Sequence, residues 1–168
     1  MARTTRRIDQ PRYAEWVRSS KALKPIAPGL ALFVEGLGKM DAQLVFEDAA
    51  TDAHLDMDLT DRLVLSQLWV LGAYEVVRTM SERVRAKPSL LSKRLAERTH
   101  RTKRYLERVR IPLAKLEPAT RHAATDFAEA LPAMHSSLGI SWKVANRVFI
   151  PRRRMADRLL KLLQALKK

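Results

Sequence analysis

The side chains most open to a chemical reading lie on one stretch: Arg94, Arg98, Arg101, Tyr105 and Arg108 recur at steps of three and four. On a helix such steps keep side chains broadly on one side. Guanidinium forks in a row can clamp phosphates, and a tyrosine among them can stack on an exposed base. A second series, Arg152, Arg153 and Arg154, is the densest basic run, and Lys161, Lys167 and Lys168 follow it. Successive helix positions are turned about 100° apart, so these three arginines cannot share one surface. They reach separated phosphates, or they keep the segment soluble. The competing reading of the first series is also a solvated face, with Glu97 supporting Arg101 at i,i+4 and Tyr105 packed at its edge.

Other polar groups point less clearly to chemistry. Asp52, His54, Asp56, Asp58 and Asp61 form an acidic segment that lacks a calcium-loop pattern, and capping and solvation account for it. No metal site or cofactor is expected from it. Glu75, Arg78 and Glu82 fall on one side of a helix and read as an ion-pair network. His122 and His135 are isolated, and Gly36 and Gly38 lack the lysine and hydroxyl residue of a phosphate loop. The absence of cysteine removes disulfides, thiolate metal sites and cysteine nucleophiles.

The spacing from Arg94 to His100 resembles the Arg-to-His motif of the helical HEPN ribonuclease superfamily. That resemblance spans seven residues and implies metal-independent RNA cleavage, often with residues assembled across a dimer. On a straight helix the two positions lie about 120° and about 9 Å apart, so a single helix does not bring them together. His100 therefore reads as part of the basic helix, and no catalytic residue is assigned.

Charge is unevenly spread. The 168 residues carry 32 Lys and Arg against 18 Asp and Glu, a formal charge of +14. Residues 35–61 hold eight acidic groups and one basic, whereas 81–121 hold thirteen basic and four acidic, and 143–168 hold nine basic and one acidic. Such an excess favours polyanionic partners without specifying a fold. The N-terminal arginines are not followed by the apolar stretch of a signal peptide, and no 18-residue apolar run appears. A cytoplasmic location without integral membrane association is expected.

The elements that must position these groups are mainly α-helical. One helix is expected from about Leu59 to Val84, capped by Asp58 or Thr60, with Leu63, Val64, Leu68, Val77 and Met80 among its core groups. Pro88 separates it from a second, about Ser89 to Val109, giving two long antiparallel helices. Pro112 and Pro118 bracket a short connection. Asp126 to Leu131 suggests a brief helix. Ile140, Trp142 and Val144 alternate, and Val148 to Ile150 follows across Ala145 to Arg147, the pattern of a small β-hairpin. A C-terminal amphipathic helix from Arg152 buries Met155, Leu159, Leu162, Leu163 and Leu166. Pro28 to Phe46 reads as helix despite Gly36 and Gly38.

Residues 1–27 are expected as a basic extension and 28–168 as one helical domain. The functional expectation is a nucleic-acid-associated protein that contacts phosphate through Arg94, Arg98, Arg101, Tyr105, Arg108, Arg152, Arg153 and Arg154, with DNA and RNA undistinguished. The alternatives are an interaction module or structural subunit for an acidic protein partner, and the HEPN-like ribonuclease.

Overall fold

The structure, a computed structural model, describes residues 7–49 and 56–167. Among these residues, five α-helices and a small antiparallel sheet follow in the order α1 (Gln10–Ser20), α2 (Pro28–Ala49), α3 (Leu59–Ala86), α4 (Lys93–Lys115), β1 (Leu131–His135), β2 (Gly139–Ala145), β3 (Val148–Pro151) and α5 (Arg152–Ala165). Helices α3 and α4 are the two long antiparallel helices, joined around Pro88, and α5 is the C-terminal amphipathic helix. None of the helices is long and apolar enough to cross a membrane.

Local chemistry sets the helix starts. Asp58 accepts the backbone N–H of Asp61 at the head of α3, Ser92 accepts that of Leu95 at α4, and Asp9 accepts that of Arg12 at α1. Helix α4 is strongly polar, yet it buries a stripe of Thr99, Thr102, Leu106, Val109 and Pro112. The two threonine hydroxyls donate back to the carbonyls of Leu95 and Arg98, both at 2.9 Å, so they enter the interior satisfied. Helix α5 buries Met155, Leu159, Leu162 and Leu163, with Leu166 partly covered. Each such side chain removed from water contributes about 1.5–3 kcal/mol.

Several expectations are corrected. The basic segment 1–27 is, from Gln10 onward, part of the packed body. Trp16, Leu23 and Ile26 join the main core, and Trp16 meets Trp69 of α3 edge to face at 6.4 Å. Pro112 does not end the second long helix, which runs on to Lys115. The proline removes one backbone hydrogen bond and crowds the Arg108 carbonyl, a cost confined to the last turn of the helix. Val64 and Leu68 stay about half exposed, because α3 is covered by α2 and α4 on its other sides.

No helix forms at 126–131. Arg108 grips the Asp126 carboxylate and the Phe127 N–H donates to the Val144 carbonyl at 2.7 Å, which draws the chain alongside the sheet. The expected hairpin is β2 and β3, and β1 adds a third strand that alternation does not reveal. The order is β1-β2-β3, with Leu131 opposite Lys143 and Lys143 opposite Phe149. One face turns Ile140, Trp142 and Ile150 into the core.

A buried polar node joins the helices. Asp41 of α2 has no exposed surface, and it accepts from Trp16 Nε1 of α1 at 2.8 Å, from Arg12 Nε at 2.5 Å, and from the Arg152 guanidinium at the head of α5. The Arg152 guanidinium also lies 5.7 Å from the Trp69 ring centre. Burial alone would push the Asp41 carboxyl upward, but the charges and hydrogen bonds of Arg152 and Arg12 outweigh it and hold the group below the ordinary carboxylate range. Arg12 continues to Asp157 of α5 at 2.7 Å, and Asp48 of α2 meets Arg62 of α3 at 2.7 Å.

The node and the close approach of α1 to α2 are both testable. Because its folded carboxyl is held low, Asp41 contributes stability above the unfolded carboxylate value, near pH 4, that is lost as pH falls through the folded value. Asp41→Asn should cost about 3–5 kcal/mol at neutral pH by leaving the buried Arg152 with only the more distant Asp48 carboxylate, 3.8 Å away. It should also flatten the decline of stability below about pH 4, read by urea unfolding across that range. Gly38 is the second test, because a Cβ there would overlap the Trp16 side chain. Gly38→Ala should destabilise by about 1–3 kcal/mol despite its better helix propensity, measured by the same unfolding.

Candidate nucleic-acid interface

The basic helix and the C-terminal helix meet. Arg94, Arg98 and Arg101 of α4 line one groove with Arg154, Arg158 and Lys161 of α5, enclosing about 560 Å³ together with Thr102 and Asp157. Both sets follow the same steps of four and then three, so each helix contributes a ladder of cations to the same cleft. The ladders are positioned by apolar burial on the adjoining face of each helix, through Leu106 and Val109 on α4 and Met155, Leu159 and Leu162 on α5.

The groove's charge is largely uncompensated. Among the described residues Asp157 is the only carboxylate lining it, and it is engaged by Arg12 from outside the cleft. Glu97 reaches Arg101 only at 4.0 Å, between half-exposed side chains, where such a pair is worth little. Arg94, Arg98, Arg154, Arg158 and Lys161 make no ion pair with any described residue. Tyr105 packs under this cluster, with the Arg158 guanidinium 4.6 Å from its ring centre. Burial raises the Tyr105 phenol above its ordinary value, against the opposing charges of Arg158, Arg154 and Arg108, so it keeps its proton at neutral pH. Its ring is a support for Arg158, not an open stacking surface.

The larger cavity, about 710 Å³ between α3, α4 and the segment after α4, differs in kind. Three of its five cations face carboxylates of the same cavity: Arg78 and Arg110 meet Glu75 at 2.7 and 3.9 Å, and Lys115 meets Glu117 at 3.5 Å, while Glu107 also lines it beside Arg104 and Arg121. Arg78 also reaches Glu82 at 2.8 Å, so the expected Glu75–Arg78–Glu82 network forms, half exposed on the surface of α3.

The structure sorts the expected contact residues. Arg94, Arg98, Arg101 and Arg154 share the groove, and Tyr105 borders it. Arg108 does not stand free: its guanidinium holds Asp126 through two hydrogen bonds of 2.7 and 2.8 Å and anchors the approach to the sheet. Arg152 is fully buried on Asp41 and cannot meet a ligand. Arg153 turns towards Asp9, Arg12 and Glu15 of α1, away from the groove. Sequence reasoning misses Arg158, and places Lys161 outward beside the basic run without counting it among the contact residues. The signal for both is present in the sequence, since Arg154, Arg158 and Lys161 repeat the periodicity of Arg94, Arg98 and Arg101.

The chain matches no protein-family model, no curated protein and no solved structure. The arrangement of the residues therefore carries the functional reading alone. Arg94 and His100 open onto different cavities: Arg94 faces α5, whereas His100 faces α3, with its Nδ1 3.1 Å from Ser81 Oγ. Of the acidic segment, Asp52 and His54 lie outside the described residues, as do Arg3 and Arg6. Asp58 caps α3 and Asp56 meets Arg7 at 3.1 Å. Among the described residues no three His, Asp or Glu side chains gather as a metal ion would require.

The division of labour between Arg101 and Arg108 is testable. The Asp126 side chain is covered in a partly buried residue, and although burial acts to raise its carboxyl, hydrogen bonds from Arg108 hold it below the ordinary range. Arg108→Gln should lower stability by about 1–3 kcal/mol. Arg101→Gln, on an exposed side chain, should change it by less than about 0.5 kcal/mol. Thermal and urea unfolding of the two variants side by side checks this.

Proposed function

We propose that this protein binds the phosphate backbone of nucleic acid in the cleft between α4 and α5. The observation that carries this reading is the pair of facing ladders, Arg94–Arg98–Arg101 and Arg154–Arg158–Lys161, around a single and already engaged carboxylate. A surface built only for solubility would intersperse charges of both signs. Convergence of six cations on one cleft is electrostatically unfavourable in the free protein and is relieved by a polyanion. Arginine predominates, and its planar fork suits phosphate oxygens. Binding of this kind gives affinity and position without reading base sequence.

Binding, not turnover, is the activity inferred. The HEPN-like alternative asks Arg94 and His100 to act on one substrate atom, and their separate cavities lend it no support. An acidic protein partner could also neutralise the cleft, and nuclease treatment separates the two: retention of a saturable complex after complete nuclease digestion would favour the protein.

The test is a charge-matched comparison by fluorescence anisotropy. Changing Arg98, Arg101 and Arg158 together to Gln should weaken oligonucleotide binding at least about tenfold at physiological salt and reduce the slope of log affinity against log salt by about 2. Changing Lys21, Lys24 and Lys39, three exposed lysines elsewhere, should have a much smaller effect. Equal losses from the two triple variants would show that net charge, not this cleft, is responsible.

A further inference from the structure

The cation cleft does not end at α5. Arg154 lines it on one side and, on the other, lines a second open groove of about 420 Å³ over the sheet, shared with His135, Arg147 and Phe149. Phe149 belongs to β3, where the alternation that sends Ile150 into the core sends Phe149 outward. It lies in register with Lys143, whose ammonium is 5.9 Å from the Phe149 ring centre, yet 48% of the residue remains open to solvent. Phe149 is thus an exposed large aromatic side chain on a sheet, flanked by cations and opening into a groove.

We infer that the protein takes single-stranded nucleic acid, with the backbone running through the α4–α5 cleft, past Arg154, and a base stacking on Phe149. This rests on the phosphate-binding reading and gives it a substrate class. The chemistry of the bases favours a single strand. A duplex keeps its base faces stacked on one another, so Phe149 could not reach one. Only an unpaired strand presents a free base face beside its own phosphates. Lys143 and Arg147 then flank the stacked nucleotide as additional phosphate contacts.

The experiment uses the full chain, a fluorescein-labelled oligothymidylate, an abasic strand of the same length, and a duplex of matched length. The parent protein should prefer oligothymidylate to both. Phe149→Ala should weaken oligothymidylate binding by about 5- to 100-fold and leave the abasic strand and the duplex unchanged. Phe149→Trp should restore the affinity, and an unaltered melting curve for both variants confirms that the exposed position leaves folding intact. Unchanged oligothymidylate binding in Phe149→Ala, or an equal loss on all three probes, overturns the inference. Parent binding that favours the duplex overturns it as well. The Arg98, Arg101 and Arg158 triple variant separates the two levels: if it loses all binding while Phe149→Ala loses none, the cleft stands and the stacking platform falls. If the triple variant binds like the parent, the cleft itself falls.

Discussion

The ion pair between Asp41 and Arg152 fixes the arrangement of nearly every other element. It sits where α1, α2, α3 and α5 converge, with the Trp16 indole N–H on the same carboxylate and the Trp69 ring beside the guanidinium. Such a pair is a poor source of net stability, because desolvating both ions opposes their attraction. The leucines and tryptophans around it supply the favourable free energy through buried apolar area. What the pair contributes is uniqueness. An apolar core tolerates helices that slide or rotate by part of a turn, whereas a buried carboxylate that must receive Arg152, Arg12 and Trp16 at once accepts one arrangement. The N-terminus of α5 is thereby set against the middle of α2, which fixes the rotation of α5 about its own axis.

That rotation determines where the basic surface lies. With Arg152 turned inward, the 100° step of the helix sends Arg153 towards α1 and Arg154 towards α4. Arg158 and Lys161 follow Arg154 onto the same side. The anchoring Arg152 and the groove-lining Arg154 are thus two positions apart and opposite in role. A similar division runs along α4, where Arg94 and Arg98 make no ion pair with a described residue and Arg101 meets only the exposed Glu97 at 4.0 Å, while Arg108 holds Asp126 and so ties the helix to the sheet. Four arginines are engaged in holding the protein together: Arg12, Arg62, Arg108 and Arg152 all pair with carboxylates that are buried or partly buried. These pairs cancel within the formal charge of +14, which says nothing about where the remaining cations lie.

The elements with strong local signals are legible in the sequence alone. The dense apolar run of α3 behind its Asp58 cap, the leucine face of α5 and the alternation of Ile140, Trp142 and Val144 each carry a period that one conformation satisfies. Where the signal is weak, tertiary contacts decide. Strand β1 contains Pro132 and few β-branched residues, and it exists because β2 offers an edge and Asp126 is held by Arg108. Helix α1 is polar overall and is recruited through Trp16, which packs into the space left by Gly38. Val64 and Leu68 look like core groups in sequence, but a helix as apolar as α3 has more hydrophobic surface than its neighbours cover.

The sequence by itself determined that the chain is mainly helical, strongly basic and lined along one helix with arginine, because periodicity and charge are local properties of neighbouring residues. Only the tertiary structure decided which arginines are available. Arg152 and Arg154 are chemically identical and two positions apart, and what separates them is that Asp41, more than a hundred residues away, stands opposite one and not the other. The same holds for Phe149 and Arg154, whose shared groove arises from the packing of β3 against the start of α5. Propensity acts within a turn or a strand, whereas the pairing of buried charges and the opening between two helices depend on distances that are defined only once the chain has closed on itself.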